Sequence, residues 1–197
     1  MNKQLTNFLP KGSVPLIEQW VYNYSVEIII SKPRKTKWGD YRYFPKFGKH
    51  QISVNKNLTS ELFLLTLTHE IAHMHTFTKY GRKIKPHGKD WKSIFKNLIL
   101  QTFSYYSLAV QKKLAQYTKN PKATLSSHPN LLKELKGRRE EEHFYYLDEL
   151  NDGSLFIINQ KILKKGILKR TRYLCEEYQS ERKYLVNRAV QVEKYEI

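Results

Sequence analysis

His69-Glu70-Ile71-Ala72-His73 sets two histidines four residues apart with a carboxylate beside the first. On a helix, positions i and i+4 share a face, so both imidazoles can turn a nitrogen toward one metal ion. Glu70 then lies where its carboxylate can act on water at that metal without joining the ligands. The chemistry implied is zinc-assisted hydrolysis, with one Zn2+ per chain and Glu70 as general base. The competing reading is a helix that happens to carry two ordinary histidines.

Catalytic zinc takes three protein ligands and keeps a further position open. His87 is the outstanding candidate for the third, within Lys85-Pro86-His87-Gly88-Lys89-Asp90-Trp91. Pro86 and Gly88 restrict the backbone there. A helical pattern follows (Trp91, Ile94, Phe95, Leu98, Ile99), and antiparallel packing of that helix would return His87 to the metal. The other reading of His87 is a surface-loop histidine. His75, two residues past His73, faces away from the pair, and His50, His128 and His143 lack any ligand spacing.

The elements that must position these groups follow from local pattern. Leu62-Phe63-Leu64-Leu65-Thr66-Leu67-Thr68 runs into the motif without a charge, which predicts a buried central helix. Thr59 as N-cap, a staple of Leu58 on Phe63, and Gly81 as terminator bound that helix to about 60–80. Upstream, a short helix is expected over 14–23 with Ser13 as a cap, then a strand over 26–30. Tyr41–Phe44 and Gln51–Val54 form a hairpin across Lys46–Lys49. Helices are expected over about 89–104 and 106–117. The exposed edge of the Gln51–Val54 strand would pair with an extended peptide.

These residues resemble the SprT-like metallopeptidase family, which includes proteases of DNA–protein crosslink repair. The likeness rests on His69-Glu70-Ile71-Ala72-His73 followed by His87-Gly88-Lys89-Asp90-Trp91. It extends to the basic stretch Arg34-Lys35-Thr36-Lys37-Trp38-Gly39-Asp40 and the strand Ile52-Ser53-Val54-Asn55, so it spans about residues 25–100. It implies an α+β, zincin-like domain with a small sheet and a central metal helix, ligands His69, His73 and His87, and Glu70 as base.

The net charge of +17 over 197 residues has no explanation in a metal site and implies an anionic partner. Residues 31–50 and 79–96 each hold seven Lys or Arg against one Asp, interleaved with Trp38, Tyr41, Tyr43, Phe44, Tyr80 and Trp91. Cations hold phosphates while aromatic faces stack on bases. Arg34, Lys35, Lys37, Trp38, Lys83 and Lys85 are the candidate nucleic-acid contacts, DNA being the expected partner. A generally basic surface with its aromatics in the core is the other reading, and Trp38 itself leans to the core. The basic residues form no amphipathic helix face, so no membrane partner is expected. A lone cysteine, Cys175, and the lack of an apolar leader place the chain in the cytoplasm as an expectation. No feature fixes an oligomeric state.

The domain expectation is 1–120 for the metal domain, 121–143 for a linker with a short helix at Leu131–Lys136, and 144–197 for an antiparallel β subdomain. Strands are expected at 144–147, 155–158, 167–175 and 183–187, with turns at Asn151-Asp152-Gly153 and Gly166. Arg170-Thr171-Arg172-Tyr173-Leu174-Cys175 is similar to the strand that reaches the first cysteine pair of the zinc ribbon found in many SprT-like relatives. One thiol cannot build a four-ligand site, so this subdomain is expected to be ribbon-like and metal-free, with Lys161, Lys164, Lys165, Lys169, Arg170 and Arg172 on its surface.

Two functions of different class follow. One is a zinc endopeptidase acting on DNA-associated or DNA-crosslinked proteins, with Tyr43, Arg42 and Tyr80 as candidates to stabilise the oxyanion. The other is a nucleic-acid-binding or scaffold protein with a structural or idle zinc site.

Overall fold

The computed structural model describes residues 3–34, 36–122, 124–137 and 144–196. Lys35, His143 and the charged run 138–142 lie outside them. The chain divides into two compact units, residues 1–123 and 124–197, with five α-helices and two sheets among the described residues.

In the first unit, α1 (Val14–Val21) leads to β1 (Val26–Ser31), β2 (Gly39–Phe44) and β3 (Lys49–Asn55). Ser13 does not cap α1 with its side chain; its Oγ donates to the Pro10 carbonyl at 2.7 Å. β2 and β3 form the expected antiparallel hairpin, turned through Pro45–Phe47 and Gly48, whose φ of 57° suits glycine. β1 then pairs in parallel with the other side of β3, giving the order β1-β3-β2. The Gln51–Val54 strand is therefore central and has no free edge. β2 is an edge, and it is the strand that packs with β3 on the metal helix.

That helix, α2 (Ser60–Tyr80), has the expected bounds: Thr59 Oγ1 accepts the Leu62 N–H at 3.3 Å, and Gly81 ends it at φ 71°. Every residue from Leu62 to Thr68 is buried. The threonines survive burial because their hydroxyls bond back one turn, Thr66 to Leu62, Thr68 to Leu64 and Thr76 to Ala72. α2 also packs on α3 (Lys89–Thr102), which contributes Trp91, Phe95, Leu98 and Ile99 to the core before α4 (Leu108–Tyr117). No helix among the described residues is long and apolar enough to cross a membrane.

The second unit begins at residue 124, and α5 (Pro129–Lys136) is its first α-helix. Seven strands follow: β4 (Phe144–Tyr146), β5 (Leu155–Ile158), β6 (Lys161–Lys164), β7 (Leu168–Lys169), β8 (Arg172–Glu177), β9 (Lys183–Asn187) and β10 (Gln191–Tyr195). All pairings are antiparallel. β10, which the sequence pattern missed, runs between β4 and β5 and so joins the two ends of the sheet sequence. The core is Leu147, Leu150, Phe156, Leu163, Tyr173, Cys175, Val186 and Val192. Lys165 is not a surface cation: it is 4% exposed, reaches the Leu150 carbonyl at 2.5 Å and Asp152 at 3.3 Å, and lies over the Tyr173 ring. Lys161 pairs with Glu177 at 2.7 Å, so two of the six expected tail cations have local partners.

Candidate metal centre

α2 presents His69 and His73 on one face, and the turn before α3 brings His87 to them. Their Nε2 atoms lie 3.2 Å (His69–His73), 2.9 Å (His73–His87) and 3.2 Å (His69–His87) apart. Three imidazole nitrogens this close cannot all share protons favourably, but they suit one cation. A tetrahedral ion with Zn–N bonds of about 2.0–2.1 Å holds its donors roughly 3.3 Å apart, so the cluster fits zinc. These three are the only group of His, Cys, Asp or Glu among the described residues arranged to hold a metal.

The His87 turn has a definable build. Gly88 N–H donates to the Lys85 carbonyl at 2.9 Å, and His87 takes the left-handed φ of 57° after Pro86. Turns with proline second usually give that third position to glycine, so a histidine there is a local strain that its contacts must sustain. Gly88 is required by close approach, since a Cβ would lie 2.8 Å from the Lys85 oxygen.

Trp91 and Phe95 of α3 form an aromatic wall beside the three histidines. The Trp91 ring centroid is 4.7 Å from that of His69, 5.2 Å from His73 and 4.6 Å from His87, and the residue is 1% exposed. Trp91 is therefore core and is not offered to bases. Burial holds all three histidines neutral, as ligands must be. The His69 pKa falls well below its usual range through burial and then its two neighbours; His73 falls to about 4 through burial and His87; His87 falls through burial.

Glu70 is not one of the three grouped donors and is 8% exposed. Its carboxylate lies against Gly39 of β2, where a Cβ would come within 2.8 Å of Glu70 Cγ and closer still to Oε1. Gly39 thus borders the candidate site, visible in the sequence only as the end of the Trp-Gly pair. Burial, then the nearby Asp40 charge, raises the Glu70 pKa to about 8, opposed by Arg34 and Lys37. A divalent ion on the histidines acts in the lowering direction and favours the carboxylate.

The other sequence candidates are placed as follows. Arg34 clamps its loop onto β3: Nε donates to Asn55 Oδ1 at 2.8 Å, Nη1 to Ser53 Oγ at 2.9 Å, and Nη2 to the Trp38 carbonyl at 3.2 Å. Lys37 pairs with Asp40 at 2.7 Å. Trp38 is half-buried, neither core nor freely displayed, while Lys83 and Lys85 are exposed. Of the oxyanion candidates, Arg42 bonds Asp40, Tyr43 packs on His50 and Phe77, and Tyr80 is exposed at the end of α2. Tyr41, which is not among these candidates, lies parallel to the His73 ring at 6.5 Å with its hydroxyl 2.9 Å from His50 Nδ1. His75 faces away, its Nε2 at 2.9 Å from the Trp20 carbonyl.

Among protein families, residues 16–113 match the SprT-like family. Through these residues the chain belongs to the SprT-like family. The matched region runs from α1 to α4 and contains the whole histidine cluster, Glu70 and Gly39, whereas the β-rich tail lies outside it. No solved structure matches the chain. The SprT-like assignment fits the donor set, because that family implies zinc and this unit supplies three neutral imidazoles for it.

Proposed function

We propose that the SprT-like unit is a zinc-dependent, zincin-like endopeptidase that cleaves proteins bound or crosslinked to DNA. The observation that carries the peptidase half is the buried Glu70 carboxylate, outside the donor group, on the residue that follows the first of three histidines whose Nε2 atoms converge. Burying a carboxylate without a strong partner is costly, and a purely structural metal site has no use for one.

His69, His73 and His87 would hold the ion, which when bound supplies Lewis acidity toward water and the scissile carbonyl. Glu70 accepts a proton from the attacking water as its oxygen bonds to the carbonyl carbon. It then delivers that proton to the amide nitrogen as the C–N bond breaks. Gly39 sets the position of that carboxylate. The edge of β2 pairs with the main chain of an extended substrate, a mode that demands no particular side chains and suits varied targets. The strong positive charge and the exposed Lys83 and Lys85 support the DNA half.

The test is cleavage of a protein crosslinked to DNA, with and without chelator. Cleavage is expected only with metal; equal cleavage in chelator contradicts the reading.

A further inference from the structure

Two basic segments far apart in sequence leave the same packed end of the SprT-like unit. Phe77, near the end of α2, packs against Tyr43 at 4.6 Å and His50 at 6.1 Å, the strand pair next to the β2–β3 turn. The hairpin tip and the segment after α2 therefore extend from the same packed end. At the tip, Phe47 is 77% exposed and Phe44 36%, with Lys46 exposed between them. After α2, Arg82 and Lys83 are exposed. Residues 41–50 and 76–89 contain no Asp or Glu. Two cations near the tip already have partners, Lys49 with Glu27 at 3.0 Å and Arg42 with Asp40 at 2.8 Å. Lys46, Arg82 and Lys83 have no ion pair among the described residues.

We propose that this tip binds single-stranded nucleic acid, Phe47 and Phe44 stacking on bases while Lys46, Arg82 and Lys83 hold phosphates. Exposed rings gain from a base only where its face is free, which a duplex does not offer, so the pairing selects single strands. This deepens the DNA half of the proposed function and is independent of the peptidase half. The tip is also usefully placed: Gly39, which touches Glu70, and Phe44 are the two ends of β2, about 17 Å apart at the rise of an extended strand. A strand held at the tip would keep an attached protein within reach of the metal while leaving the metal face clear.

The test uses the full, zinc-loaded chain and fluorescence anisotropy with a labelled single-stranded oligonucleotide and its duplex. Phe47→Ala is expected to weaken single-strand binding about tenfold with a smaller effect on duplex, while zinc content and Tm stay unchanged. Phe47→Trp should restore affinity, and the introduced indole should be quenched when unlabelled single strand is added. Lys46→Ala, Arg82→Ala and Lys83→Ala together should flatten the salt slope by about 2. Single-strand binding by Phe47→Ala equal to wild type, or no quenching of the indole, overturns this surface and leaves DNA association standing through other residues. A wild-type chain that ignores both oligonucleotides and binds only anionic vesicles overturns this surface and the DNA half together.

Discussion

The placement of the Glu70 carboxylate is not a matter of helical spacing alone; the absence of a side chain at Gly39 leaves it room. Gly39→Ala would push the carboxylate away, because the added Cβ meets Glu70 Cγ at 2.8 Å and the ligands are untouched. Misplacing a reacting group by about 1 Å costs on the order of 100-fold, so cleavage should fall by about that much with zinc content retained. Cleavage at the wild-type rate would remove Gly39 from the site. The same buried groups dictate a pH profile for the metal-free protein. A histidine whose folded pKa is lowered gives full stability above its unfolded value of 6.5 and loses it as pH falls, for His73 toward about 4. Glu70 works oppositely: its raised pKa gives stability that is full below 4.5 and lost as pH rises to about 8. Melting in chelator should therefore peak near pH 6.5, and Glu70→Gln should remove the alkaline decline alone. An alkaline decline unchanged in Glu70→Gln would contradict this origin.

At the level of elements, the metal helix was legible because its signals are local. Thr59, the uncharged run and Gly81 each act within a turn or two of their own position. Strand order was not legible, since β1 pairs with β3 across the intervening hairpin, and that non-local choice moves the free edge from Gln51–Val54 to β2. β10 was missed for a related reason: its alternation is interrupted by Glu193 and Lys194, and its place is set by β4 and β5 on either side. Charge counting failed wherever a cation has a partner from another element, as with Lys165 and the Leu150 carbonyl. Arg34 is the sharpest case, a candidate phosphate contact whose guanidinium instead bonds Asn55, Ser53 and Trp38. Arg34→Ala should destabilise the first unit by about 3 kcal/mol, lowering Tm by several degrees. An unchanged Tm with weakened DNA binding would return Arg34 to the phosphate role.

Across the whole molecule, the SprT-like unit holds the three histidines, Glu70 and Gly39 on which the proposed hydrolysis rests. The tail contributes a separate antiparallel body in which Cys175 is buried among apolar neighbours. The account therefore stands or falls on one carboxylate in the first unit. Glu70→Gln preserves shape and leaves His69, His73 and His87 in place while removing the proton acceptor. Cleavage of a protein crosslinked to single-stranded DNA should be compared between wild type and Glu70→Gln at matched zinc content. The account predicts one zinc per chain in both proteins and a loss of at least about 1000-fold in cleavage for Glu70→Gln, in keeping with removal of a general base. Cleavage by Glu70→Gln at the wild-type rate would contradict it.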